Sequence, residues 1–227
     1  MKQRFWTNGF YAIGATIGVT LLVTGPAAHA DDDEDSESGD SRIEQGFRLA
    51  PVPLNLQGRN RALVGLGSYF VNSIGGCNNC HNPGPGENRW LPGGNPYFGQ
   101  PERNNPATYL GGGRDFGPLV PGSAHIISRN LTPDRTGMAE GGHTFAEFLL
   151  IMRTGVDLDH LHPNCPVGTV NPGCIPLPFD GSLLQVMPWP ADKNMTDHDL
   201  RAIYEYLSVI PCIAGPPAPS PLHNDCN

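Results

Sequence analysis

The chain has 227 residues, among them 29 glycines, 24 prolines and six cysteines, with a formal net charge of −8. That sign argues against a nucleic-acid binder, whose affinity comes from cations set against phosphate. The glycine and proline load, dense between 83 and 122, excludes long regular elements there, so the chain needs something besides its own core to fold around.

In chain order, residues 1–30 read as an export signal. Lys2 and Arg4 precede an uncharged apolar run from Gly9 to Val23, and Ala28-His29-Ala30 forms a small-residue cleavage site, which predicts a mature start at Asp31. The run is shorter than the roughly 20 residues that span a bilayer. The mature chain is therefore expected to be soluble and periplasmic. Seven acids follow between Asp31 and Asp40; the mature charge is −10, of which residues 41–227 carry only −3. Like charges cannot be buried together, so 31–42 is expected to be disordered within an acidic tail and linker over 31–55. It serves as a solvated spacer or as a handle for a basic partner.

Arg61 to Ile74 carries apolar residues at Leu63, Leu66, Tyr69 or Phe70, and Ile74, close to helical spacing. Gly65 and Gly67 would let another helix come close. Cys77-Asn78-Asn79-Cys80-His81 is then the C-x-x-C-H signature of covalent haem attachment: two thiols add across the haem vinyl groups and the adjacent histidine ligates the iron. A zinc site needs a second ligand pair at compatible spacing, and a thioredoxin-like site needs a βαβ context; neither is present. Between 82 and 122, Trp90, Tyr97, Phe98, Tyr109 and Phe116 suggest an aromatic-pinned loop covering a haem edge. Asn130 and Thr132 have two readings, as donors to a haem propionate or as a self-capped turn. Thr144 and Glu147 form a capping box ahead of a helix over 145–153 with Phe145, Phe148 or Leu149, and Met152 on its packing face.

Downstream, Cys165, Cys174, Cys212 and Cys226 allow three disulfide connectivities, and locality favours 165–174 with 212–226. Met187 sits in Val186-Met187-Pro188-Trp189-Pro190, a proline-stiffened loop. Thr196 caps a helix with Leu200, Ile203, Tyr204 and Leu207 on one face, ended by Pro211. The sixth iron ligand is expected to be Met187. Met138 is its rival, Met152 and Met195 suit packing, and His125, His143, His160 or His162 would give bis-histidine ligation. Arg89, Arg114 and Arg129 are candidate propionate clamps, and Trp90 and Trp189 candidate haem-wall or core residues.

A helix before C-x-x-C-H, a methionine loop and a last helix, in that order, resemble the class I c-type cytochromes. Asn130-Leu131-Thr132-Pro133-Asp134, Thr136-Gly137 and the helix ending Arg153-Thr154-Gly155 look like cytochrome domains of bacterial dehydrogenase chains. The resemblance covers 61–81 and 123–209. It implies a mainly α, cytochrome c-like fold over 56–211 around one covalent haem c, held by Cys77 and Cys80 and ligated by His81 and Met187. A Pro-rich tail, 212–227, follows. It further implies transient protein redox partners and single-electron transfer. The alternative is a haem enzyme or gas sensor with an open or labile sixth site.

Overall fold

Two glycines on one helix decide how the helical core is assembled. A Cβ on Gly67 would stand 1.9 Å from the carbonyl oxygen of Ala202, and one on Gly65 would stand 2.7 Å from that of Ile43. The helix that carries them is therefore pressed by backbone on both sides. The computed structural model describes residues 32–83, 89–159, 162–220 and 222–227, with side chains from 41 onward. The expected export signal, 1–30, lies outside the described residues.

The chain is mainly α. In order it forms α1 (Asp32–Leu49), α2 (Arg61–Tyr69) continuing as a π-turn over Phe70–Ile74, and a 3₁₀ turn over Cys77–Asn79. A second 3₁₀ turn spans Pro96–Phe98, and the hairpin of β1 (Asp115–Pro118) and β2 (His125–Ile127) follows. α3 (Ala139–Gly142), α4 (Phe145–Thr154), α5 (Trp189–Asp192) and α6 (Asp197–Leu207) complete the described elements. β1 and β2 are antiparallel, pairing Asp115 with Ile127 and Pro118 with His125, with a bulge between.

α2 lies between α1 and α6. Asn60 caps it by accepting from the backbone N–H groups of Ala62 and Leu63. Val64 and Val71 are buried in one cluster with Leu200, Ile203 and Leu207 of α6. Each such side chain contributes about 1.5–3 kcal/mol on burial. Ile74, expected on the same face, is 66% exposed, because the π-turn rotates the end of the helix. α4 starts at the expected capping box, Thr144 and Glu147, and packs Phe145 and Phe148 edge-on against Tyr204, with ring centroids 5.5 and 5.6 Å apart. α6 starts at Thr196 as expected.

The acidic segment is not a disordered tail: 32–49 is one helix. Its second half docks on α2. A Cβ on Gly46 would stand 1.8 Å from the Gly65 carbonyl, Ser68 donates to the Gly46 carbonyl at 2.6 Å, and Arg61 stacks over Phe47. The linker is folded as well, since Val52 is buried and the Asn55 N–H donates to the Val209 carbonyl at 2.9 Å. Among the described residues no helix is long and apolar enough to cross a membrane. The cysteines downstream of His81 pair as Cys165–Cys174 and Cys212–Cys226.

Candidate functional site

The C-x-x-C-H segment leaves the π-turn through Gly76, in the left-handed region at φ 54°, and winds one short turn in which the N–H groups of Cys80 and His81 both donate to the Cys77 carbonyl. Asn78 locks the turn from outside. Its Oδ1 accepts from the Leu110 N–H at 3.0 Å, and its Nδ2 donates to Asn104 at 3.0 Å. Asn78 is thus structural, while Cys77, Cys80 and His81 border a cavity, Cys80 at its exposed edge.

They line an apolar cavity of about 340 Å³ floored by Leu131, Phe148, Ile203 and Leu207. Met187 lines it too, and with Cys80 and His81 it also lines an adjoining cavity of about 80 Å³. Among the described residues the cysteines without a disulfide are Cys77 and Cys80. Burial pushes the Cys77 thiol up to about 12, aided by the carboxylate of Asp192, so the thiol is held protonated. That disfavours a redox dithiol or a thiolate nucleophile.

His81 is fixed by one hydrogen bond. Its Nδ1 lies 2.8 Å from the Arg129 carbonyl oxygen, which can only accept, so Nδ1 carries the proton. Desolvation lowers the imidazole's affinity for a second proton, and the neutral ring therefore keeps its lone pair on Nε2. A backbone carbonyl holding one ring nitrogen is the usual way a ligand histidine is oriented.

Met187 is held by strain. Its N–H returns to the Gln185 carbonyl at 2.8 Å across Val186, whose φ is 70°. This is a γ-turn with a β-branched residue at positive φ, an outlier of about 1–3 kcal/mol that persists only where its surroundings impose it. The surroundings here are Trp189, whose Nε1 donates to the Leu184 carbonyl at 3.2 Å, and Gly155, whose carbonyl accepts from the Leu184 N–H at 2.6 Å.

The other candidates separate by place. Met138 lines none of these cavities, whereas Met152 and Met195 line the larger one as part of the apolar cluster. His162 lines the small cavity; His125 is exposed beside Asp115 at 2.7 Å; His160 lies outside the described residues. Arg129 lines the small cavity but not the main one, its guanidinium 2.5 Å from Asp157. Arg114 instead donates to the Asn79 carbonyl at 2.6 Å, and Arg89 and Trp90 line a different cavity. Neither Trp90 nor Trp189 lines the cavity of Cys77 and Met187. Asn130 and Thr132 form the self-capped turn. Asn130 Oδ1 accepts from the Thr132 N–H and hydroxyl, and its Nδ2 donates to the Ile213 carbonyl at 2.7 Å. The loop of 82–122 divides: Trp90 and Tyr109 are buried, but Tyr97 and Phe98 are 80% and 77% exposed, Tyr97 meeting Arg89 through a side-chain hydrogen bond.

Glu140 carries no signal in the sequence beyond the two glycines after it. It lines both the main cavity and a further one of about 310 Å³, sits at φ 50°, and its Oε2 is buried without a partner. Burial pushes its carboxyl up to about 7.

No family model, curated protein or solved structure matches the chain. The reading of the site rests on its own chemistry.

Proposed function

We propose that this chain is an exported electron carrier built on the class I cytochrome c plan, holding one haem c through Cys77 and Cys80 with His81 and Met187 as axial ligands. The observation that carries this reading is the convergence of those four side chains on one apolar cavity, with the imidazole Nε2 left unprotonated. The residues fit the group. The two unpaired cysteines are the ones at the cavity, the ligand histidine is pre-oriented, and apolar walls stand ready for a flat hydrophobic body. The packing of α2 across α6 beside the cavity supports the cytochrome c-like fold. Export is supported by the leader-like residues 1–30 and by two disulfides, which persist in oxidising compartments.

When bound, haem supplies a one-electron ferric/ferrous couple. The chain's part is to tether and to tune. Cys77 and Cys80 fix the group on one short turn. The Arg129 carbonyl holds His81 in one tautomer and orientation, and the γ-turn at Val186 presents a thioether, which raises a haem potential relative to a second imidazole. Phe148, Ile203 and Leu207 exclude water. With His81 and Met187 both holding the iron, the protein would exchange electrons and not ligands, through brief contacts with protein partners.

Exported protein, wild type and Met187→Ala, tests this by optical spectroscopy after denaturing extraction of loose haem. Retained covalent haem, with a far-red thioether-to-ferric-iron band that the variant loses, is the expected result. Absence of covalent haem overturns the proposal. A band that survives the substitution moves the ligand to Met152 or Met195, and a wild type without the band points to His162 or to an open site.

A further inference from the structure

A second and larger cavity, about 590 Å³, lies on the other side of the C-x-x-C turn, and its chemistry is unlike the first. One wall is the end of α1 and the segment after it, where Leu49, Ala50 and Pro51 present apolar surface. The opposite wall is the paired ribbon of 89–105. It is fixed by the Leu91 N–H donating to the Arg103 carbonyl at 2.9 Å, the Arg103 N–H to Gly94 at 3.0 Å and the Asn105 N–H to Arg89 at 2.7 Å. This framed loop carries Arg89 and Arg103 into the cavity lining; Arg48 joins them, and Glu102 is the one carboxylate of the lining.

The charges do not cancel. Arg48 is engaged by Gln45 and Glu44. Arg89 and Arg103 have no carboxylate within ion-pair distance among the described residues, in a chain that is acidic as a whole. Arg89 lies flat over Trp90, its guanidinium carbon 4.0 Å from the ring centroid, which fixes the plane of the fork. Its Nε is buried, so the guanidinium meets the cavity through its Nη groups, beside the Tyr97 hydroxyl to which it donates. A planar carboxylate suits such an edge, because its two oxygens take parallel N–H bonds from the two Nη groups of a single arginine.

We infer that this cavity binds a small organic carboxylate, the anionic group on Arg89 and Arg103 and the apolar body against Leu49, Pro51 and Val71. Its volume falls in the range of about 300–1,000 Å³ of small-molecule sites. Val71 and Gly76 are the wall it shares with the cavity of Cys77 and Met187, while its arginines line only this side, and the inference stands whether or not haem is attached at Cys77.

Equilibrium dialysis of the purified exported protein against benzoate tests it, with benzyl alcohol as the neutral analogue and inorganic phosphate as the anion without a body. One benzoate per chain is expected, with a Kd below about 1 mM, about tenfold tighter than either analogue. Arg89→Lys keeps the charge but loses the fork and is expected to weaken benzoate about tenfold, as is Arg103→Met, while Arg135→Met, outside this lining, leaves it unchanged. Circular dichroism establishes that each variant is folded. Benzyl alcohol binding as tightly as benzoate, no saturable benzoate binding, or binding indifferent to both Arg89→Lys and Arg103→Met would each overturn the inference.

Discussion

Gly155 and the indole of Trp189 are in direct opposition: a Cβ on Gly155 would stand 2.1 Å from Cε2 and 2.5 Å from Nε1 of Trp189. Gly155 is also the left-handed C-cap of α4 at φ 71°, so the position refuses a side chain on two grounds. Trp189 in turn holds the loop that bears Met187. Gly155→Ala is expected to cost about 2–4 kcal/mol, from the left-handed penalty and the forced displacement of the ring. In the holoprotein it should also weaken or abolish the far-red thioether band. Urea denaturation and the optical spectrum check both, and an unchanged midpoint with an intact band would refute the linkage.

Asn130 ties the centre of the chain to its end. Its side chain donates to the Ile213 and Leu222 carbonyls and accepts from Thr132, while Asn224 donates to the Thr132 and Pro133 carbonyls from the other side. Asn130→Ala removes these partners from buried groups and is expected to cost about 2–4 kcal/mol. Asn130→Asp keeps the acceptor towards Thr132 and should cost less. Limited proteolysis should cut the 212–227 segment first in the alanine variant, whereas a clamp of some other role would leave its cleavage rate unchanged.

What the sequence disclosed, and what it hid, follows from the range of each interaction. The capping box of Thr144 and Glu147, the cap at Thr196, and Gly65 and Gly67 as close-approach sites are local or single-residue signals, and they are found where expected. Cys77, Cys80, His81 and Met187 line one cavity, and the residues that single them out in the sequence are a short motif and a proline-stiffened loop. Glu140 was not legible there, because its position depends on a backbone at φ 50° that no residue pattern encodes. The helix over 32–49 was missed because seven acids outweigh the docking residues Ile43, Gly46 and Phe47, whose effect exists only once α2 is in place. Tyr97 and Phe98 show the converse error. Aromatic residues in a Gly/Pro-rich loop suggest pinning, yet these two stand in solvent beside the arginine-lined cavity.

The Cys212–Cys226 bridge closes a loop with a sequence separation of 14 residues. A cross-link over that span stabilises by about 3 kcal/mol, chiefly by restricting the unfolded chain. Replacing both cysteines by serine is expected to lower the unfolding free energy by about that amount. Val209 and Ile210, buried upstream of the bridge, should keep α6 in place, so covalent haem and the far-red band are expected to survive. Urea denaturation of the oxidised wild type and the double-serine variant checks it; equal midpoints would mean that the hydrogen bonds of Asn130 and Asn224 secure the tail without the bridge.

Glu140 is expected to make the protein less stable as the solution becomes more alkaline. Its carboxyl is raised from 4.5 to about 7, first by burial and then by the nearby Asp159 and Asp157, against the opposing pull of His143 and Arg129. Between these two values the folded chain holds a proton that the unfolded chain has released, so unfolding free energy falls as pH rises through this window. The loss is complete above about pH 7 and amounts to about 3 kcal/mol at one pK unit per 1.36 kcal/mol. Glu140→Gln cannot ionise and is expected to flatten the profile, gaining on the wild type at pH 8 and not at pH 4. Denaturant midpoints measured from pH 4 to pH 8 decide it. A wild-type stability that rises across this interval, or a glutamine variant with the same slope, would show that the carboxyl is ionised in the folded protein and answered by a cation such as Arg129.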